Sequence, residues 1–230
     1  VVLVLVAATL AIGIGVVQPE DVEAQHTVDA VRLVLNPDKD TYVVQGETTP
    51  LGREAQLRMG VGNKSPYHML IHFELPEILY VSELNGATLR LYCEAIEELD
   101  ASRPQFQIME PTTDRWNENT TYWDNKPGAA GSAIMWEIFE ELCEDPNGQW
   151  VEMDVQETVQ RWALGDRDNN GFYLRPRTDQ QNMLYRFTSK DGSSGYPRGF
   201  QPQLVLEFSP PPSPTPTASN TPTASVTPTP

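Results

Sequence analysis

The stretch Asp154 to Pro176 limits the possible folds of this chain more than any other. Asp154 is a good helix N-cap, and Glu157 stands three residues on, where a capping-box partner belongs. Val155, Val159 and Trp162 recur at helical spacing and form one apolar stripe. Gly165 fits a left-handed C-terminal stop. Asn170-Gly171 then turns the chain into the strand Phe172-Tyr-Leu174. One short helix within a chain of strands marks a topology more firmly than it marks a ligand.

Everything around that helix reads as strand. Val31–Leu35, Thr41–Val44, Ala55–Met59, Met69–Phe73, Ala87–Cys93 and Gln105–Met109 precede it. Trp150–Asp154 leads into it, and 171–174, Met183–Phe187 and Gln203–Phe208 follow. Most alternate apolar with polar, and Gly, Pro, Asn and Asp separate them. Ala87, Leu89, Leu91 and Cys93 share one face of their strand. The pattern predicts an all-β, antiparallel sandwich, jelly-roll-like, with one or two short helices. The second helix is expected over Ser132 to Cys143, where Ile134, Ile138 and Leu142 stand four apart.

The two ends read differently from the middle. Val1 to Val17 is apolar apart from Thr9, Gly13 and Gly15, and Val22-Glu-Ala24 supplies a small residue before a cut. We expect residues 1–24 to be a signal peptide lacking its first part, with an uncleaved anchor as the alternative. Ser209 to Pro230 holds only Pro, Thr, Ser, Ala, one Asn and one Val. Such a tract is an extended, semi-rigid spacer, so 209–230 is expected to be a linker to a further domain or anchor. Between them, 25–208 is one domain, secreted or held at the cell surface, with no membrane insertion after signal cleavage.

The net charge of −16 argues against nucleic acid, which needs a positive surface. Glu20, Asp21 and Glu23 account for −3 of it, leaving −13 on the domain. Acids dominate from Glu94 to Asp154. Bases dominate from Arg175 to Phe200, where Arg175, Arg177, Arg186, Lys190 and Arg198 face only Asp179 and Asp191. Tyr173, Tyr185, Phe187 and Tyr196 are interleaved with them. One reading is ordinary outward residues of strands. The other is a local binding face for an anionic ligand, with Arg175, Arg177, Arg186, Lys190, Arg198 and Tyr196 as its residues.

Other signals are smaller. Cys93 and Cys143, an even count in an exported chain, point to a disulfide worth about 4 kcal/mol by chain entropy; two buried thiols are the alternative. Asp166, Asp168 and Asn170, followed by Gly171, open like a calcium loop, but Arg177 stands where the closing Glu belongs. A structural calcium and a plain solvated turn both remain open. Trp116, Tyr122 and Trp123 lie in a polar loop, either stacking on sugar rings or plugging the end of the sandwich. His68 and His72 share a strand face without an evident third ligand and read as solvent-facing. No nucleophile, zinc-protease or phosphate-loop motif occurs.

Six segments in order resemble the DNRLRE-type β-sandwich domain of the disaggregatase-related secreted proteins. They are Asp40-Thr-Tyr-Val43, Leu70-Ile-His-Phe-Glu-Leu75, Ala87-Thr-Leu-Arg-Leu-Tyr92, Trp116 to Pro127, Asp154 to Phe172, and Phe187-Thr-Ser-Lys190 with Pro202 to Leu206. Cys93, Cys143 and the acidic stretch Gly128 to Gln149 depart from that pattern. The resemblance implies a noncatalytic, carbohydrate-binding or adhesive module, with some members linked to alginate and other acidic polysaccharides. We therefore expect a polysaccharide-binding module. A structural domain without a sugar site and a polysaccharide-degrading enzyme are the alternatives.

Overall fold

A computed structural model describes residues 31–77, 84–99, 105–138, 143, 145, 147–177, 182–192 and 199–209. Eleven strands and one helix follow the alternation in the sequence. They are β1 (Val31–Leu35), β2 (Lys39–Val44), β3 (Gln56–Gly62), β4 (Ser65–His72), β5 (Leu84–Leu99) and β6 (Gln105–Pro111). Then come β7 (Ala129–Ile138), β8 (Gln149–Asp154), α1 (Gln156–Leu164), β9 (Phe172–Pro176), β10 (Met183–Thr188) and β11 (Gln203–Phe208). The expected signal peptide and most of the expected linker lie outside the described residues.

Every strand pairing is antiparallel. The hydrogen-bonded order is β1-β11-β5-β10-β3-β4-β9-β6-β7, with β2 added on β4 and β8 on β5. Two strands change partner part-way along. β4 pairs with β3 at Ser65–Tyr67 and with β9 at Met69–Ile71. β5 pairs with β11 over Leu84–Arg90 and with β10 over Cys93–Leu99. These switches let a continuous sheet close over itself as a sandwich. Alternation sends Met69 and Ile71 of β4, Phe172 and Leu174 of β9, and Leu89 and Leu91 of β5 into one shared core.

The expected second helix is a strand. Ile134 and Ile138 stand four apart, and four is a multiple of the strand period as well as one helical turn. Residues 129–138 form β7, paired with β6, and Ile134 packs against the core.

The helix itself starts one residue later than its capping signal suggests. The β8 ladder holds the backbone of Asp154 opposite Thr88, so Val155 flanks the helix and donates its N–H to Ala87 O at 2.9 Å. Asp154 Oδ1 still accepts from Gln156 N, at 2.9 Å. Glu157 pairs forward with Arg161 instead of closing a capping box. The apolar stripe packs as expected, with Val155, Val159 and Trp162 all in the core.

Cys93 on β5 and Cys143, 50 residues on, form a disulfide with their Cα atoms 5.5 Å apart. It ties the turn before β8 to the centre of the sheet.

Two glycines bracket the loop after α1. Gly165 has φ 75° and ends the helix, with no atom near a substituted Cβ. Gly171 has φ 85°, and a Cβ there would come within 2.5 Å of Ile71 O. Gly165→Ala should cost about 1 kcal/mol, the ordinary left-handed penalty. Gly171→Ala adds a backbone clash and should cost about 3 kcal/mol or more. Urea unfolding of the two variants measures the difference; equal losses would contradict the close approach.

Candidate functional site

β4 and β9 are buried on both faces over Met69–Ile71 and Phe172–Leu174. Leu70 and Tyr173 point away from the main core, and Met109 of β6 joins them. The connection between β6 and β7, residues 112–128, crosses that outer face and sets Trp116 against all three. Trp116 is thus the plug that one reading of the loop aromatics expects.

Charged side chains pin this connection down. Lys39 Nζ donates to Asp114 O at 2.7 Å and lies 4.8 Å from the centre of the Trp116 ring. Glu118 accepts from Asp40 N at 3.2 Å and meets Lys190 Nζ at 3.1 Å. Arg53 Nε reaches Asn119 Oδ1 at 2.6 Å. Asp40 is buried and accepts Lys190 N at 2.6 Å, yet burial prevails and raises its pKa to about 7.

The middle of the same face holds His68, Trp123, Lys126, Tyr173 and Arg175. His68 is 7% exposed. Its Nδ1 shares a 2.6 Å hydrogen bond with the Tyr173 hydroxyl, and its Nε2 has no partner. Its ring lies 4.8 Å from that of Trp123 and edge-on to Tyr173 at 5.4 Å. Lys126 Nζ stands 3.8 Å above the Trp123 ring and donates to Trp123 O at 2.9 Å. Arg175, on β9 opposite Gln107 of β6, donates through Nε and Nη2 at 2.9 and 3.1 Å when the Gln107 amide turns its oxygen inward.

This face is electropositive. Burial, then the charges of Lys126 and Arg175, push the His68 pKa down to about 3. Burial also lowers that of Lys126, against the pull of Asp124. Among the described residues neither Lys126 nor Arg175 has a carboxylate within ion-pair distance. The other bases singled out in the sequence differ. Arg186 meets Glu94 at 3.3 Å and Glu97 at 3.1 Å on the outer face of β10 and β5. Lys190 is held by Glu118 and Asp191, at 3.1 and 3.3 Å. Arg177 is exposed just past β9, and Tyr196 and Arg198 lie outside the described residues. The basic segment thus spreads over separate places, and of the described candidates Arg175 is the one that acts on His68, whose ring lies against Trp123. Gln107, Lys126 and the burial of His68 left no signal in the sequence that the strand pattern could interpret.

Neither histidine faces solvent as expected: the crossing loop covers His68, and Asp38 and Asn169 hold His72. His72 is half-buried, with Nδ1 at 2.6 Å from Asp38 Oδ1 and Nε2 at 3.1 Å from Asn169 O. Among the described residues no three His, Cys, Asp or Glu side chains gather as a metal cluster. Asp166 and Asp168 are exposed, and Asn170 N donates to Asp168 O at 3.0 Å. The turn is shaped by Asn169, whose side chain accepts from Gly171 N and donates to Phe73 O.

The family follows from the same strands. Residues 32–207, from β1 into β11, match carbohydrate-binding module family 96. The chain belongs to that family. No curated protein matches it. A carbohydrate-binding module needs polar and aromatic groups presented on a rigid sheet, and the face around Trp123 has both. No described helix is long and apolar enough to cross a membrane.

The burial of His68 has a measurable sign. Its folded pKa lies below the ordinary value of 6.5, so the unfolded chain binds the proton more readily and stability is lost as pH falls from about 6.5 toward 3. Asp40 acts oppositely: its raised pKa means stability is lost as pH rises from about 4 through 7. The two offset each other in between, so the comparison must be a difference. The stability of the wild type minus that of His68→Gln should fall by about 1.4 kcal/mol per pH unit below pH 6.5. A difference independent of pH would contradict a buried, neutral His68.

Proposed function

We propose that this family 96 module binds an acidic polysaccharide on the outer face of β4, β9 and β6. One observation carries this reading. On a chain of net charge −16, Lys126 over the Trp123 ring and Arg175 beside Gln107 both act on His68, with no described carboxylate in contact with either. Ions already paired within a protein offer little to a ligand, whereas two uncompensated cations gain fully from a uronate or sulfate. Gln107 holds the Arg175 guanidinium, which leaves its outer edge for a bidentate carboxylate. Lys126 sits over an aromatic ring, a placement that keeps its charge at the surface.

The module acts without catalysis, in keeping with its family and with the DNRLRE-type resemblance of its motifs. The apolar start, the disulfide and the Pro/Thr tract support an exported protein whose domain is tethered through that tract to another domain or anchor.

Affinity electrophoresis in gels containing alginate, pectate or neutral β-glucan tests the reading. The acidic polymers should retard the protein, and retardation should weaken as salt rises, because exposed charge attraction is screened. Lys126→Ala/Arg175→Ala should lower affinity about a hundredfold, the loss of two charge-assisted contacts at about 1.5 kcal/mol each. Arg186→Ala, which removes a base already paired with Glu94 and Glu97, should retain affinity. Retardation by neutral glucan alone, or an unaffected double variant, would refute the charged face.

A further inference from the structure

A second site opens between α1 and the β6–β7 hairpin. The apolar stripe of α1 faces the core, so Gln156, Glu157, Gln160 and Arg161 line the helix's other side. Across from them, the β6–β7 register shifts between Ile108 and Glu110, and Gly131 of β7 adopts φ 54°. The two walls enclose a cleft of about 890 Å³. That lies within the ~300–1,000 Å³ range of small-ligand sites.

Glu110 forms one wall of the cleft. It is 6% exposed, and its carboxylate is held on both oxygens, by Trp162 Nε1 at 2.8 Å and by the Arg167 guanidinium. Each oxygen keeps a further lone pair for a ligand hydroxyl. Arg161 and Arg167 supply donors, Gln156 supplies both functions, and Gln160, whose Nε2 already donates to Leu84 O at 3.1 Å, keeps its oxygen as an acceptor. Such planar groups match the alternating donors and acceptors of neighbouring sugar hydroxyls.

Charge selects the sugar. Glu157 is paired with Arg161 and Glu110 with Arg167, which leaves Asp154 as a further carboxylate on the wall. The cleft is therefore net negative and repels uronates or sulfates. None of its described lining residues is aromatic, so recognition rests on hydrogen bonds and not on stacking. Lys126, Trp123 and Arg175 take no part in it.

We infer that this cleft is a second carbohydrate site, taking a short neutral oligosaccharide independently of the electropositive face. It rests on membership of the family and not on the acidic-glycan reading, so either site can fail alone.

NMR titration with cellohexaose, xylohexaose, mannohexaose and laminarihexaose, each alone, tests it. At least one should shift the side-chain amide signals of Gln156 and Gln160, with an affinity insensitive to salt. Gln156→Ala/Glu157→Ala should weaken that binding roughly tenfold, the loss of one or two hydrogen bonds. Lys126→Ala/Arg175→Ala should leave it unchanged. If no neutral hexaose shifts these signals at millimolar concentration, the inference is wrong. It is equally wrong if only alginate oligosaccharides do, or if the Lys126/Arg175 variant and not the cleft variant loses binding.

Discussion

The covering of one sheet face by the β6–β7 connection is the constraint on which the rest of the structure depends. Leu70, Met109 and Tyr173 would be exposed apolar surface without Trp116 on top of them. Burying a side chain of that size stabilises by about 2–3 kcal/mol, and the loop must be held flat to achieve it. That is the work of Lys39, Arg53, Glu118 and Lys190, whose contacts span the chain from β2 to the turn after β10. The same covering seals His68 away from water and leaves Lys126 and Arg175 at its rim. A packing requirement and the proposed binding surface therefore come from one loop.

Charge placement follows from this. Several bases of this acidic chain are held by carboxylates. Arg58 and Arg186 share Glu97, Arg186 also meets Glu94, Arg90 meets Glu152, and Arg167 meets Glu110. Each such pair has a structural use and presents little net field. The exceptions near Trp123 stand out because Asp124, the acid that acts on Lys126, is not in contact with it. The cleft beside α1 has the opposite sign, so the two proposed sites differ in charge.

Much of the fold was legible in the amino-acid pattern. β1 and β11 run over the expected residues, and the stripe Val155, Val159, Trp162 packs as its spacing predicts. The failures have local causes. Ile134 and Ile138 satisfy both periods, so only pairing with β6 decides between strand and helix. Asp154 carries a capping side chain, but its backbone belongs to the β8 ladder. The candidate site was harder to read. Arg175 and Trp123 could be picked out as residue types, yet both come to His68 only because β9 lies beneath a loop from between β6 and β7. Arg186 looked equally suitable, and nothing in the chain order tells that Glu94 and Glu97 already face it. His68 reads as an ordinary polar position of an alternating strand until the second layer of packing is known.

A direct test locates the ligand on the surface. In a two-dimensional NMR titration with alginate oligosaccharides, the indole N–H of Trp123, the side-chain amide of Gln107 and the ring signals of His68 should move together and saturate at one concentration. Shifts confined to Arg186 and Lys190, or no shift at Trp123 while the sugar binds elsewhere, would contradict the placement of the binding face over β4 and β9.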